Sequence, residues 1–430
     1  MNRHRVLLLA ESCNPDWPSL PVVGYKYACS LARVADVTLV THVRNRANIE
    51  RAGDFTAPVH YVDNEWLARP MYRFSKWLRG GKDVAWSLQQ MLDYLPYLEF
   101  ERRVLRSFRT DLEGGAFDIV HRITPMSPTK PSYIAGKIRQ PFVIGPLNGN
   151  LDWPSAFRAE QRREKEILRT LRNAYRYLPY TRSTYRKASG ILAAFDHTIE
   201  DLIHAEPRQI IPLPEIGFDP LIFHPGDRTP PFSGAGERTF LYAGRLVPYK
   251  LPEAVIRAFT GSDMLMKHRL RVLGDGPERE RIEKIVEEAG AGDRVSFEGR
   301  KTQAEVAEAM RQSDAFVFPS IRELGAGVVI EAMATGALCM VTDYGAPGAL
   351  AASGRGIRIP LKPLGPLTDD LRAAMEATLT DPQTHRDIAH AGRVFAEENF
   401  SWDKKADFTA RVYEAVITGT PPLGDFDDYV

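Results

Sequence analysis

Residues 315–342 read AFVFPSIRELGAGVVIEAMATGALCMVT. A run of four apolar residues comes first, then a loop carrying Gly325 and Gly327. An apolar helical run over 328–335 and a second apolar run over 338–342 follow. Continuous apolar runs without polar alternation suit parallel strands covered on both faces. Strand, glycine loop, helix and strand in succession make a βαβ unit. Glu323 and Glu331 bracket the loop, eight positions apart. On a single helix they would stand about 80° out of phase, and the glycines divide the stretch into loop and helix. The two carboxylates are therefore not a pair on one helical face.

The same unit recurs in both directions along the chain. Strand candidates in the first half are 6–10, 37–41, 119–121, 142–145 and 191–194. In the second half they are 240–243, 271–273, 295–298, 315–318, 338–342 and 357–359. Helical stretches between them imply doubly wound sheets. Residues 212–239, rich in proline, glycine and polar side chains, read as a linker. A chain of 430 residues exceeds what one core usually organises. The expected fold class is α/β, with two Rossmann-like, doubly wound parallel-sheet domains facing across a cleft. The first spans 1–222 and the second 223–400, with a closing helix that packs back on the first domain and a tail over 401–430. Ligands of open sheets bind beyond the carboxyl ends of the strands, which makes the cleft the expected site.

Bulk composition narrows the function classes. A hydrophobic fraction of 44%, a charged fraction of 26% and a net charge of +1 describe a globular protein with no field for nucleic acid. Cys13, Cys29 and Cys339 are odd in number and scattered, which excludes a disulfide framework and suits a reducing, cytoplasmic compartment. The N-terminal run RHRVLLLAE ends at Glu11, too early for a signal peptide or a membrane span, and reads as a buried first strand. An insertion at about 155–187 holds ten Arg or Lys against three Glu over 156–187, interleaved with Phe157, Ile167, Leu168, Leu171, Tyr175, Leu178 and Tyr185. It reads either as a solvated amphipathic helical pair or as a basic face for anionic lipid headgroups or an anionic acceptor. The helical stretch 71–108, with Trp77, Trp86, Leu95 and Tyr97, would cover the acceptor side of the cleft or contact a membrane.

Several strand ends carry groups with chemistry. In FLYAGRLVPYKLPEAVIRAF, 240–259, a strand ends at Gly244 and Arg245 and Lys250 follow before a helix. Two cations there are placed to neutralise a diphosphate, Arg as a fork and Lys as a point charge, or else are ordinary solvated loop charges. In LRVLGDGPERERIEKIV, 270–286, Gly274 and Gly276 make a tight turn after a strand, a weak signal common to βα units. Gly299 ends the next strand, with Arg300 and Lys301 at its tip. Gly325, Ala326 and Gly327 open the helix whose free N–H groups form an anion site. Glu331, just inside it, would accept both hydroxyls of a ribose, or would simply complement the helix dipole. Glu323 would face whatever the phosphate carries, or would be a solvated loop residue.

Residues 240–347 resemble the donor domain of a family 4 (GT4) retaining glycosyltransferase of the two-domain GT-B fold. The resemblance rests on GRLVPYK, LGDGPERERIE, FEGRKTQAEVAEAMRQSDAFVFPS, ELGAGVVIEAMATG and TDYGAPG, in family order. PEIGFDPLIFHP before them resembles the family's domain junction and NFSWDKKADFTARVYEAV after them its closing helix. The resemblance implies that Arg245 and Lys250 neutralise a nucleotide-sugar diphosphate and that Glu331 holds the ribose. It implies that Gly244, Gly274 and Gly325 to Gly327 line the donor site and that Arg300 lies near the base. Glu323 would hold hydroxyls of the donor sugar beside the anomeric carbon. No metal and no cofactor is implied, and the acidic string at 425–428 is not expected to bind one. Ala326 departs from the family pattern, standing where glycine is common. In the first half, FDIVHRITPMSPTKPSYIAG resembles the segment carrying an active-site histidine, with His121 nearest and a packed histidine the alternative. Gly24 is the only glycine in the first strand–helix loop, where many members carry two. Gly145, Asn148 and Gly149 resemble a Gly-Pro…Gly segment lining the acceptor side, or make a turn only.

The expected activity is retaining transfer of a sugar to an acceptor hydroxyl in polysaccharide, lipid-linked glycan or glycoconjugate assembly. The acceptor would be a glycan or a lipid-linked one, and the location cytoplasmic, with peripheral contact at the anionic membrane face. A nucleotide-sugar epimerase of similar fold and a non-catalytic sugar-nucleotide-binding protein are the alternatives.

Overall fold

In the computed structural model of the chain, the residues described are 3–78, 93–149, 151–158, 161 and 176–420. Most of the basic insertion, Trp86 and the acidic string at 425–428 lie outside them. The described residues divide into two units. One comprises 3–78, 93–149, 176–215 and 402–420, the other 151–158, 161 and 216–401.

The first unit is built on β1 (Arg5–Ala10), β2 (Asp36–His42), β3 (Val59–Val62), β4 (Ile119–Thr124), β5 (Phe142–Leu147), β6 (Gly190–Ala193) and β7 (Ile210–Ile211). They form one parallel sheet in the order β3-β2-β1-β4-β5-β6-β7. The chain winds outward from β1 to β3, then returns beside β1 with β4, so the switch point lies between β1 and β4. β4 and β5 are buried along their whole length, β5 as its apolar run requires and β4 although it carries His121 and Arg122. The edge strands β3 and β7 were not expected from the sequence. VHYV is mostly half-buried and carries a histidine, and β7 has only two residues, so neither makes an apolar run.

The second unit holds β8 (Thr239–Ala243), β9 (Arg269–Leu273), β10 (Val295–Gly299), β11 (Ala315–Phe318), β12 (Leu338–Thr342) and β13 (Ile357–Ile359). Their order is β10-β9-β8-β11-β12-β13, again all parallel, with Ala315 of β11 in register with Phe240 of β8. Its switch point therefore lies between β8 and β11. β11 and β12 are fully buried. At roughly 1.5–3 kcal/mol for each buried aliphatic or aromatic side chain, these central strands carry much of the unit's cohesion.

The long C-terminal helix Trp402–Thr418 belongs to the first unit and packs against the helix Leu20–Val34. Tyr27 and Thr409 hydroxyls meet at 2.5 Å across this contact. Lys405, fully buried, donates its ammonium to the Pro214 carbonyl. Tyr413 reaches β4, where its hydroxyl lies 2.6 Å from His121 Nδ1, while His121 Nε2 lies 2.8 Å from the Gly145 carbonyl. A carbonyl can only accept, so Nε2 carries the proton and Nδ1 accepts from Tyr413. Burial holds His121 neutral and pulls its pKa from the usual 6.5 down to about 4. The unfolded chain thus takes up a proton near pH 6.5 that the folded chain refuses until about pH 4. Stability from this group is fully present above pH 6.5 and is lost as pH falls through that window, by up to about 3 kcal/mol. Urea unfolding at pH 7 and at pH 4.5 should show a smaller acid loss in His121→Asn than in the native chain. Equal losses would remove His121 from the acid sensitivity.

Candidate functional site

The groups singled out in the second half gather at the carboxyl ends of β8 to β11. β8 runs out through Gly244 to Arg245, and Val247 N–H and the Tyr242 hydroxyl both donate to the Arg245 carbonyl, at 3.0 and 3.2 Å. Its backbone is fixed, while its exposed guanidinium makes no ion pair or hydrogen bond among the described residues. A short 3-10 turn, Pro248–Lys250, then presents Lys250. Leu251 takes a left-handed conformation (φ 47°), which turns the chain into the helix Pro252–Thr260.

From the other side of the switch point, β11 delivers Phe318 and the loop to Ala326. Lys250 Nζ lies 2.9 Å from Glu323 Oε1, the two side chains only 14% and 17% exposed. The ammonium also sits over the Phe318 ring, 4.9 Å from its centroid. The Ser320 hydroxyl donates to Glu323 Oε1 at 3.1 Å, and Ile321 N–H to the Tyr249 carbonyl at 2.9 Å. Burial raises the Tyr242 phenol well above its usual range, with the Glu323 charge the next contribution. A carboxylate and an ammonium from strands on either side of the switch point are thus held together by two loops that bond to each other.

Close backbone packing makes the floor of this region. Gly274 (φ 127°) lies so near β8 that a Cβ would stand 1.9 Å from the Gly244 carbonyl oxygen. Its N–H donates to the Gly299 carbonyl at 2.7 Å, and Gly244 N–H to the Leu273 carbonyl at 3.0 Å, which ties the ends of β8, β9 and β10. Only glycine fits between these strand ends. Arg300, beyond β10, is 85% exposed and lies 4.0 Å from Asp275.

The loop after Glu323 ends at Ala326, buried and left-handed (φ 51°, ψ 44°), and the helix Gly327–Ala334 starts there. Glycine takes this conformation freely and alanine does not, so the departure noted in the sequence is a strained residue at a helix start. Gly325 is buried beside it, and Gly327 packs against Ile216 so closely that a Cβ would stand 2.8 Å from its side chain. Glu331, half-buried, stands on the second turn of this helix and is engaged within the chain.

The first-unit candidates are distributed differently. Gly24 lies in the helix Leu20–Val34, and a Cβ there would come within 2.9 Å of both the Ser12 carbonyl and the Thr124 methyl. Ser12 N–H donates to Thr124 Oγ1 at 3.0 Å, so Gly24 packs onto the β1/β4 switch point. Past β5, the Asn148 side chain donates to Glu215, and Gly149 N–H donates to Thr198 Oγ1 at 3.2 Å. His121 is not brought to this face: it lies within β4, fully buried, with both ring nitrogens bonded. The structure gives it the packed role, because the C-terminal helix covers it.

Sequence reasoning missed Ser320, Phe318 and Tyr249, which hold the ion pair, and Glu215. Burial raises the Glu215 carboxyl to about 7. Phe318 and Ser320 stand in the quoted FVFPS, at the strand end where such supports belong, whereas nothing local marks Glu215. Among the described residues, no three His, Cys, Asp or Glu side chains gather in a group able to hold a metal ion.

Comparison with known proteins bears on both units. Residues 227–395 match the family described as Glycosyl transferases group 1. Over 190 residues the chain is 30% identical to a D-inositol 3-phosphate glycosyltransferase of Streptomyces bingchenggensis, a match covering 42% of this chain and 41% of that protein. The chain spans about half the length, or less, of the curated relatives it matches. Anabaena Alr3699/HepE in complex with UDP superposes with a TM-score of 0.64 and 16% identity over 96% of this chain and all (100%) of that one. Sucrose-phosphate synthase from Thermosynechococcus elongatus gives a TM-score of 0.64 and 17% identity over 97% and 100%. The chain therefore has the GT-B fold of these solved structures, and its residues 227–395 are similar to the glycosyl transferases group 1 family.

Proposed function

We propose that the protein is a retaining glycosyltransferase that moves a sugar from a nucleotide diphosphate to an acceptor hydroxyl, without a metal or other cofactor. The observation that carries this reading is the Lys250–Glu323 pair at the β8/β11 switch point, with Arg245 in the same loop as Lys250. Open α/β sheets bind ligands at such points. Arg245 and Lys250 supply the positive charge that a departing diphosphate needs, and the start of the helix Gly327–Ala334 adds backbone N–H groups. Glu331 would accept the ribose hydroxyls, Glu323 the sugar hydroxyls, and Arg300 would lie toward the base. In the reaction, the bond from the anomeric carbon to phosphate oxygen breaks and a bond to the acceptor oxygen forms on the same face. The acceptor proton passes to the leaving phosphate oxygen as the two cations stabilise its charge.

The acceptor would bind the first unit near Gly24, Asn148 and Gly149. A glycan or lipid-linked acceptor at the cytoplasmic face of a membrane suits the helix Glu65–Leu78, where Trp66, Tyr72 and Phe74 are 63%, 50% and 47% exposed among Arg69 and Arg73. No helix among the described residues is long and apolar enough to cross a membrane. Since Alr3699/HepE was obtained with UDP, UDP-sugars are the first donors to test, followed by GDP- and dTDP-sugars.

Transfer is expected to persist in excess chelator and to give product of unchanged anomeric configuration by NMR. Metal dependence or inversion would overturn those parts of the proposal. Arg245→Ala and Lys250→Ala should each lower kcat by roughly 10²-fold or more, and near-normal rates in either would sink the assignment. Glu331→Ala should mainly raise the donor KM. Glu323→Gln should keep UDP binding and lose transfer, because it frees Lys250 while removing the sugar contact.

A further inference from the structure

Three residues from the middle of the sequence, Leu151, Asp152 and Trp153, belong to the second unit and touch three of its strand-end loops. The Trp153 ring stands edge-to-face on Tyr249, with centroids 6.4 Å apart and planes at 87°. The Arg322 guanidinium lies over the same indole, 5.5 Å from its centroid. Tyr249 and Arg322 are the residues immediately before Lys250 and Glu323. The Tyr344 hydroxyl donates to the Asp152 carbonyl at 2.8 Å. Leu151 fills the space beside Gly345 (φ 61°), where a Cβ would meet its side chain at 2.8 Å and the Glu323 carbonyl at 3.0 Å. Leu151 and Trp153 are 5% and 7% exposed, so these are packed contacts.

We propose that Leu151–Trp153 is a strap whose indole fixes the Lys250–Glu323 pair, making Trp153 a positioning residue for the donor site. The indole engages both the residue before the ammonium and the residue before the carboxylate. Edge-to-face and cation–π contacts of this kind are directional, so they set the angle between the two loops as well as their distance. The loop after β12 closes the strap from behind, through Tyr344 and Gly345. A rigid aromatic, with only two rotatable bonds, holds such a geometry at small entropic cost. The proposal rests on the donor-site reading above.

Two measurements on the full-length chain test it. In the ligand-free protein, Trp153→Ala should speed amide exchange over 319–326 and 345–347 by about 10-fold, with β8 and β11 unchanged and Trp153→Phe close to native. Unchanged exchange in these loops overturns the strap. By calorimetry, Trp153→Ala should weaken UDP-glucose binding about 10-fold in the native background and under about 2-fold when Glu323→Gln is already present. Equal penalties in the two backgrounds would show that Trp153 acts on folding alone and would overturn the positioning role. A native chain that binds no UDP-glucose refutes that donor, and the exchange result then decides the strap by itself.

Discussion

The ion pair between Lys250 and Glu323 is the contact on which the carboxyl face of the second sheet depends. Solvent-exposed pairs contribute roughly 0–1 kcal/mol, because water competes for both charges. Shielded pairs attract more strongly but cost more to desolvate, so they persist only where neighbours satisfy the remaining polar sites. Here the neighbours are the Ser320 hydroxyl on the carboxylate and the Phe318 ring under the ammonium. In the proposed reaction the pair is also a charge reserve. An incoming diphosphate takes Lys250, and the carboxylate it releases turns to the sugar hydroxyls. Neither charge is then buried without a partner, before or after binding.

That exchange needs the loops to stay where they are while partners change. The Gly244–Gly274 approach leaves no room for side chains between the ends of β8 and β9, and a ladder of N–H to carbonyl bonds runs on to Gly299. Arg245 therefore leaves a fixed backbone with a free side chain, the arrangement of a group that meets a ligand. Ala326 adds strain at the start of the helix Gly327–Ala334. Strained, non-glycine residues persist where the surroundings over-determine them, and they cluster at functional sites.

Much of this was legible in the sequence because buried parallel strands have no polar alternation. AFVF and LCMVT announce themselves, and the glycine-rich breaks after them fix where each strand ends. From those ends followed the positions of Arg245, Lys250, Glu323 and Glu331. The edge strands of the first sheet were hidden, since half-exposed strands such as VHYV lose the apolar run that betrays central ones. His121 misled for a related reason: a histidine near a strand end looks the same whether it faces solvent or, as here, a helix from the far end of the chain. Trp153 could not be placed at all. The loops it touches stand roughly a hundred or more residues further on, beyond the reach of any local pattern.

Lys405 shows the same limit with a charge. Nothing local in NFSWDKKADF separates it from Lys404, yet Lys405 is fully buried while Lys404 is exposed. Burial pulls its pKa down to about 7 and pushes that of Glu215 up to about 7, each charge partly restoring the other. Two ionisable groups buried side by side are costly for a core that hydrophobic side chains could fill more stably. What they supply is register. Lys405 donates to the carbonyl of Pro214, the residue before Glu215, and Glu215 accepts from Asn148. The C-terminal helix is thereby fixed against one point of the chain, where an apolar face alone would allow it to slide by a turn. Tyr27 on Thr409 and Tyr413 on His121 repeat the device along the same helix. A polar group that fits only one partner specifies a position that hydrophobic area cannot.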